Sequence, residues 1–246
     1  MEGATPDNRL FDFLTNLKED ESADRAWHST VTFMRALGAS RVGVSMELDS
    51  ADPLFMWTFP PWVAEQYMEE VYPDCDPTLA HCRENVAPFF SGTAFLHRYP
   101  DPPTPYRQYL EDLVSEEVRS SVVIPLHTCS NGEWGKFSFS TNFSADEFES
   151  GYAERGIMIH MASIAAFNRI RTLVKKERAA AVGLTRRERE CLLWLARGLR
   201  NDQIAERMGI RPVTVAFHFA NARSKLNART REQTLVSAIQ LGLVCP

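Results

Sequence analysis

The chain has 246 residues, 44% hydrophobic and 24% charged, a balance typical of a soluble globular protein with one large or two ordinary domains. Its N-terminus lacks a basic start followed by an apolar block, and no stretch reaches the roughly 20 apolar residues of a membrane helix, so we expect no signal peptide and no membrane partner. Five scattered cysteines without a Cys-x-x-Cys pair indicate neither a disulfide framework nor a zinc site. We therefore predict a cytoplasmic protein without metal or cofactor.

The net charge of −5 is unevenly distributed along the chain. Residues 1–182 hold 16 Lys+Arg and 27 Asp+Glu, a balance of −11, and residues 183–246 hold 11 Lys+Arg and 5 Asp+Glu, a balance of +6. A small basic unit is a candidate for binding a phosphate backbone. A solvated surface without a nucleic-acid partner explains the charge alone equally well.

Helical spacing of apolar residues predicts five helices in the first two thirds of the chain. They span residues 7–18, 21–37, 61–72, 76–84 and 144–178. Gly151 and Gly156 lie inside the last of these segments, and we expect its helix to break near one of them.

Runs rich in β-branched and aromatic residues predict four strands. Their sequences are RVGVSMEL, LFMWTF, SSVVIPLHT and WGKFSFS. Asn131 and Gly132, between the third and the fourth, form a strong hairpin signal. This pattern predicts an α+β fold, in which helices cover an antiparallel sheet to give an α/β/α sandwich.

The apolar periodicity fades in KKERAAAVG, which predicts a linker over residues 175–183 between domains at 1–174 and 184–246. The second domain reads as all-α, with four short helices in LTRRERECLLWLARG, NDQIAERMG, PVTVAFHFANARSKL and TREQTLVSAIQLG. The first begins with Thr185 and Glu188 at capping-box spacing. Only Ile-Arg separates the second helix from the third after its closing glycine, which is typical of a helix-turn-helix.

The third of these helices has two different faces. Apolar residues that would pack on the preceding helices are Val215, Phe219, Ala222 and Leu226. The opposite face carries small and basic residues, namely Ala216, Ala220, Arg223 and Ser224. A helix of this kind can enter the major groove of DNA. An ordinary four-helix bundle with a protein-binding face is the alternative.

The segments LTRREREC, LARG, QIAERMGI, TVAFHFANARSKL and AIQLGLV resemble, in order, the helix-turn-helix of the LuxR family of bacterial transcription regulators. The characteristic Glu, Leu and Gly of that family's first helix fall on Glu188, Leu192 and Gly198. The resemblance implies binding to a two-fold symmetric site on double-stranded DNA. The residues implied in DNA binding are Arg200, Arg211, Thr214, Ala216, Phe217, His218, Ala220, Asn221, Arg223 and Lys225.

Two departures from the family pattern affect how DNA would be read. Arg200 and Arg211 stand at helix starts where the family favours Ser or Thr, so the side-chain cap is lost but a phosphate is within reach. Ala216 and Ala220 stand at two positions that often read bases. Alanine can contact a thymine methyl group but cannot donate a hydrogen bond.

The stretch PPWVAEQYMEEVYPDCDP resembles the pocket signature of the autoinducer-binding branch of the family, which senses N-acyl homoserine lactones. Tyr67 stands nine residues before Asp76, as in the family, whereas Trp62 is one residue out of register. The resemblance implies that Asp76 accepts the ligand's amide N–H, that Tyr67 and Ser138 serve the amide carbonyl, and that Trp62 serves the lactone carbonyl. The implied ligand-binding residues are Trp62, Tyr67, Asp76, Ser138, Phe59, Thr78, Leu79, Cys82, Phe90 and Val123.

Two further departures from the family pattern leave the identity of the ligand open. Ser91 replaces a usual pocket Trp and Ser121 a usual Gly, so the ligand is an unusual acyl chain or not a homoserine lactone. A regulator that needs no ligand, or that senses a host-derived signal, fits the same architecture. A lactone-processing enzyme would need a nucleophile such as Cys82 beside His81, but adjacent helical residues do not face each other, so we expect no catalysis.

The resemblance also implies a homodimer. A stripe of apolar residues in the last long helix of the first domain is a weak indication of a symmetric interface, and it would equally fit packing on the sheet of the same chain. The stripe consists of Ile157, Met161, Ile164 and either Phe167 or Ile170.

Overall fold

The computed structural model describes residues 6–48, 53–99, 101–128 and 133–244. The chain forms two compact units, Met1–Arg171 and Thr172–Pro246. None of the helices in the described ranges is long and apolar enough to cross a membrane.

The first unit contains a five-stranded antiparallel sheet in the order β2-β1-β5-β4-β3. The strands are β1 (Arg41–Glu47), β2 (Leu54–Trp57), β3 (Phe89–Ser91), β4 (Ser120–His127) and β5 (Trp134–Thr141). Four strands were predicted, and β3 is an addition of three residues. The strands β4 and β5 pair as a hairpin, while the predicted turn residues Asn131 and Gly132 lie outside the described ranges.

Six helices belong wholly or largely to this unit. They are α1 (Pro6–Glu19), α2 (Ala23–Ala36), α3 (Pro61–Gln66), α4 (Pro77–Glu84), α5 (Thr104–Asp112) and α6 (Ala145–Val182). The helix α3 continues into a π-helical turn, Tyr67–Val71, and α4 packs on β4 and β5. On the other face, Phe167 of α6 lies over Gly135 of β5, where an added Cβ would meet its ring at 2.6 Å. Helices on both faces of an antiparallel sheet confirm the predicted α+β sandwich.

The long helix α6 runs unbroken through Gly151 and Gly156, so the predicted break is wrong. A glycine costs about 1 kcal/mol in a helix interior, but both glycines give space to side chains of the same helix. The Arg155 guanidinium lies over Gly151 and donates to its carbonyl at 3.2 Å, and the Tyr152 ring lies over Gly156. The helix also continues to Val182, so most of the segment predicted as a linker is helical.

The second unit adds four helices to the end of α6. They are α7 (Arg186–Ala196), α8 (Asn201–Met208), α9 (Pro212–Lys225) and α10 (Arg231–Gln240). The capping box at the start of α7 is present, since Thr185 Oγ1 accepts the Glu188 N–H at 3.3 Å and Glu188 Oε2 accepts the Thr185 N–H at 2.8 Å. Gly209 ends α8 in the left-handed conformation, with φ +65°. The predicted helix-turn-helix of α8 and α9 is confirmed.

Candidate functional site

A cavity of about 80 Å³ lies inside the first unit, with space for several water-sized groups. Its floor is the inner face of the sheet, and its roof comes from α5, the π-helical turn and the start of α4. Six of the ten residues predicted to bind the ligand line it. They are Tyr67, Asp76, Ser138, Phe59, Thr78 and Val123.

The other four predicted residues do not line the cavity. Trp62 is 41% exposed, whereas its neighbour Val63 is fully buried. Because neighbouring helical residues point about 100° apart, α3 buries residue 63 and turns the indole outwards. The cavity is walled instead by Trp57 of β2, whose ring centroid lies 5.6 Å from that of Tyr67. The prediction for Trp62 is therefore wrong in its placement.

Leu79, Cys82 and Phe90 are also absent from the cavity wall. Leu79 and Cys82 are buried on α4, away from the cavity. Phe90 packs its ring against Phe95, Phe148 and Tyr152. Neighbours on a strand point to opposite faces of a sheet, so it is Ser91, beside Phe90, that lines the cavity.

Asp76 is the polar anchor of the cavity and also the N-cap residue of α4. Its Oδ1 accepts hydrogen bonds from the Thr78 N–H at 2.8 Å and the Thr78 hydroxyl at 2.7 Å. Its Oδ2 accepts one from the Tyr67 phenol at 2.7 Å and pairs with the Lys136 ammonium. A carboxylate has about four acceptor positions, so every position is occupied.

Sequence reasoning missed Lys136. It stands two residues before Ser138 on β5, so the period of a strand places both on the cavity face. The ammonium also donates to Tyr67 Oη at 3.0 Å and to Thr78 Oγ1 at 2.9 Å, and the side chain is only 14% exposed. We name Tyr67, Asp76, Thr78 and Lys136 the ion-pair cluster.

Burial and the contacts within the ion-pair cluster shift the pKa values of Asp76 and Tyr67. Burial alone would raise the pKa of Asp76, but the Lys136 charge and the hydrogen bonds from Lys136, Thr78 and Tyr67 outweigh burial and lower it. Burial, followed by the Asp76 charge, raises the pKa of Tyr67 well above its usual value. At neutral pH the cavity therefore presents the Asp76 carboxylate and a neutral Tyr67 phenol that can donate a hydrogen bond.

A second polar group lines the cavity on the inner faces of β3, β4 and β5. Ser91 pairs with Ser121 in the sheet register, and Ser121 pairs with Ser140. Ser121 donates a hydrogen bond to Ser140 Oγ at 2.8 Å, and the Ser91 hydroxyl bonds to the Tyr106 phenol at 2.7 Å. We name these four residues the hydroxyl cluster.

The cavity depends on one glycine of β1. A Cβ atom at Gly43 would lie 2.7 Å from Ser138 Oγ and 3.7 Å from Trp57 Cβ. Contacts under 3.0 Å are essentially never seen for real Cβ atoms. Any larger residue at position 43 would therefore displace the polar or the aromatic wall.

In the second unit, α9 buries Val215, Phe219 and Ala222 as predicted. Five predicted DNA-binding residues are exposed, and three are partly buried on the same helix. The exposed ones are Arg211, Ala216, Phe217, Ala220 and Arg223, and the partly buried ones are Thr214, His218 and Asn221. Phe217 is 61% exposed and Val213 70% exposed, so the exposed surface of α9 includes two large apolar side chains. The side chain of Arg200, at the start of α8, is also largely exposed.

Lys225 is exposed as well, but its ammonium is bonded within the helical unit. Its ammonium donates to Glu188 Oε2 at 2.8 Å, to Glu188 Oε1 at 3.1 Å and to the carbonyl of Gly183 at 3.1 Å. These bonds use all three donors of the ammonium and join the end of α9 to the start of α7. These contacts give Lys225 a structural role in the helical unit, and its contact with DNA stays a prediction.

The pair considered for catalysis is not arranged for it. Burial raises the pKa of Cys82 to about 12, so the thiol stays protonated, and His81 Nε2 bonds to the carbonyl of Ala87 at 2.8 Å. Within the described ranges, no three His, Cys, Asp or Glu side chains form a group able to hold a metal ion.

Comparison with known proteins matches both units to family models. The autoinducer binding domain matches residues 22–170, and the model of bacterial regulatory proteins of the luxR family matches residues 182–238. The transcriptional activator protein LuxR of Aliivibrio fischeri is 30% identical over 139 residues, which are 54% of this chain and 55% of that protein. The match thus spans about half the length of that relative.

Two further relatives extend over more of the chain. The quorum sensing-dependent regulator RpaR of Rhodopseudomonas palustris is 29% identical over 178 residues, 72% of this chain and 70% of RpaR. The crystal structure of Escherichia coli SdiA superposes with a TM-score of 0.67 at 18% identity, covering 96% of this chain and 98% of SdiA. A second SdiA structure, in complex with octanoyl-rac-glycerol, has a TM-score of 0.65 at 20% identity, covering 99% of this chain and 98% of that one. At such identities the structures show a shared fold.

Proposed function

Since the chain belongs to the LuxR family of quorum-sensing regulators and carries its autoinducer-binding domain, we propose that it binds an N-acyl homoserine lactone or a related small molecule and thereby controls promoter binding as a homodimer. The observation that carries the proposal is the cavity in which Tyr67 donates to the buried carboxylate of Asp76. No metal or cofactor takes part.

An amide group can enter this network by a simple exchange. Asp76 Oδ2 holds the Tyr67 phenol at 2.7 Å, and the bonds of Oδ1 to Thr78 also cap α4. If the phenol turns to the carbonyl oxygen of a ligand amide, the vacated position on Oδ2 can accept the amide N–H. One hydrogen bond is replaced by two, and the pair between Asp76 and Lys136 is kept. Ser138, on the same wall, lies within the cavity to support the carbonyl.

A thermal-shift screen of the full chain with acyl homoserine lactones of different length tests this. A ligand that binds only the folded state at a hundredfold excess over Kd stabilises it by roughly 2.7 kcal/mol, so the right lactone raises Tm. Asp76→Asn keeps the shape but loses a charge-assisted bond, and affinity should fall by about tenfold to a hundredfold. Asp146→Asn, an exposed carboxylate of α6, is the matched control and should respond as the wild type. The absence of a shift with every lactone would contradict the ligand class.

The exposed face of α9 is proposed to read DNA. Arg200 and Arg211 would contact phosphates, while Ala216, Phe217 and Ala220 form an apolar surface that suits the methyl groups of thymine. Replacing each thymine of a bound site by uracil removes only that methyl group. We expect about fourfold weaker binding per contacted methyl, from about 0.8 kcal/mol for each. Unchanged binding to a fully uracil-substituted site would contradict the apolar reading.

The proposed homodimer rests on α6. The predicted stripe divides in the structure, because Phe167 and Ile170 are buried whereas Ile157, Met161 and Ile164 are 81%, 46% and 43% exposed. Sedimentation of the protein with ligand and DNA present should give a dimer, and Ile157→Glu with Met161→Glu should weaken it. Val86→Glu, at an equally exposed valine elsewhere, is the control. A wild-type monomer under these conditions would contradict the proposal.

A further inference from the structure

The cavity has a polar cluster at each end of one strand. Lys136 of the ion-pair cluster and Ser140 of the hydroxyl cluster both belong to β5 and both line the cavity. Four residues of an extended strand span about 13 Å. Much of the remaining wall is aromatic and aliphatic, with Trp57, Phe59 and Tyr109 among its residues.

The hydroxyl cluster has more protons than acceptors. Ser91 and Tyr106 have two O–H groups but share one hydrogen bond, so one proton of the pair is left over. Ser121 donates to Ser140, and the proton of Ser140 has no acceptor among the described residues. All four residues are less than a tenth exposed, with 4% for Ser91, 3% for Tyr106, 8% for Ser121 and 2% for Ser140. The buried wall therefore holds two hydroxyl protons that have no acceptor among the described residues.

Water can satisfy these donors while the cavity is unliganded, because a buried water needs only two to four polar partners. A ligand whose far end is a plain alkyl chain would displace that water and leave the donors unpaired, which is unfavourable. A ligand oxygen at the same place would accept one of these protons. The chemistry of the wall thus discriminates between two kinds of ligand tail.

The charge of the cavity restricts the ligand further. Among the described residues that line it, Asp76 and Lys136 are the charged ones, and they form a pair. The hydroxyl cluster has no cation of its own to neutralise a carboxylate or a phosphate. A neutral oxygen, as in a hydroxyl, keto or ether group, is the acceptor that fits.

We propose that the natural ligand is a neutral molecule with polar groups at both ends. Its amide is held by Tyr67 and Asp76, and an oxygen acceptor about 10–13 Å away is held by the hydroxyl cluster. The inference rests on the proposed function, because it takes the amide anchor from there. An extended chain advances about 1.2 Å per bond, as a polypeptide does, so an acyl chain of about eight carbons with a terminal oxygen joins the two clusters.

The test compares two probes that differ in one group. They are N-(ω-hydroxyoctanoyl)homoserine lactone and N-nonanoylhomoserine lactone, in which a methyl group replaces the hydroxyl. Titration calorimetry on the full chain should show the hydroxylated probe binding about tenfold more tightly, as expected for one satisfied hydrogen bond. Equal affinities, or a preference for the nonanoyl probe, would overturn the inference.

Variants assign the preference to the hydroxyl cluster. The two probes should bind equally once both spare donors are removed, in Ser91→Ala/Tyr106→Phe combined with Ser121→Ala/Ser140→Ala. Ser163→Ala removes a buried hydroxyl of α6 that bonds to the carbonyl of Ile159 at 2.7 Å, outside the cavity, and should keep the preference. A preference that survives when all four hydroxyls are removed overturns the assignment. If wild type binds neither probe, the proposed ligand class itself fails, whereas equal binding leaves that class intact and contradicts only the polar far end.

Discussion

Each unit contains a lysine that pairs with a buried carboxylate, and the two pairs have similar chemistry but different surroundings. In the first unit Lys136 pairs with Asp76, and in the second Lys225 pairs with Glu188. Both carboxylates also accept a backbone N–H at the start of a helix, and their side chains are only 1% and 3% exposed. The first pair borders a cavity and the second lies within a packed helical unit.

The function of such a pair depends on whether a neighbouring group can exchange its hydrogen-bond partner. Asp76 shares its Oδ2 with Tyr67, a phenol on the cavity wall that can turn to another acceptor. Every partner of Glu188 belongs to the joint between α7 and α9, and no exchange is available without opening that joint. The first pair can therefore exchange a hydrogen bond with the proposed ligand, whereas the second stabilises the proposed DNA-binding unit.

The largest expected effect comes from breaking the first pair. Asp76→Leu leaves the buried Lys136 ammonium without its counter-charge and removes the N-cap of α4, so the free energy of unfolding should fall by about 3–5 kcal/mol. Urea denaturation followed by tryptophan fluorescence measures this. The double variant Asp76→Leu/Lys136→Met should recover most of the loss, because no unpaired charge remains. A single-variant loss below about 1 kcal/mol would show that the pair behaves as a surface pair.

Breaking the second pair should cost less. Lys225→Met removes the ammonium, but Glu188 keeps its bond to the Thr185 N–H and Lys225 is already 34% exposed. We expect a loss of about 1–3 kcal/mol, confined to the unfolding transition of the second unit. The ligand-induced shift in Tm of the first unit should be unchanged. Loss of that shift would contradict the separation of the two roles.

Acid should weaken both pairs over the same range. Burial opposes ionisation of Asp76 and of Glu188, but their lysine partners and hydrogen bonds outweigh it, and the pKa of each is lowered on folding. Their contribution to stability is therefore complete above the unfolded pKa values of about 4 and is lost as the pH falls through the lower folded values. Urea titrations from neutral pH downwards measure this. Asp76→Asn should be less acid-sensitive than wild type, and equal sensitivity would contradict the assignment.

The smallest effect separates a structural cation from a DNA-binding one. Arg211→Ala removes an exposed guanidinium at the start of α9, and the slope of log affinity against log salt should flatten by about one unit. Lys225→Met, measured where it is fully folded, should keep the wild-type slope. A flattened slope for Lys225→Met would show that Lys225 also contacts a phosphate.

Sequence reasoning predicted what depends on local spacing. The capping box of Thr185 and Glu188 and the glycine end of α8 depend on residues that are close together in sequence. The nine-residue interval from Tyr67 to Asp76 is also short, and both residues line the cavity. The helix α5 was missed because its proline-rich start reads as a loop, although Pro105 lies in its first turn, where proline is tolerated.

The residues that were missed or misplaced depend on long-range packing. Lys136 meets Asp76 across 60 residues of chain, and only the register of β5 against its neighbours brings them together. Trp57 and Trp62 are both aromatic residues near Tyr67 in sequence. Trp57 lines the cavity because of the strand face on which it lies, and Trp62 is exposed because of its position around the helix axis. Composition reveals neither of these.

Gly43 gives the cavity an unusual sensitivity to change by a single codon. Most other wall residues have side chains that line the cavity, so replacing one of them changes polarity and packing together. Position 43 has no side chain, and this leaves space beside Ser138 and Trp57. Alanine is one nucleotide substitution away from any glycine codon. A lineage could therefore shrink this cavity in one step while keeping both polar clusters, and the proposed binding would then be lost for larger ligands before smaller ones.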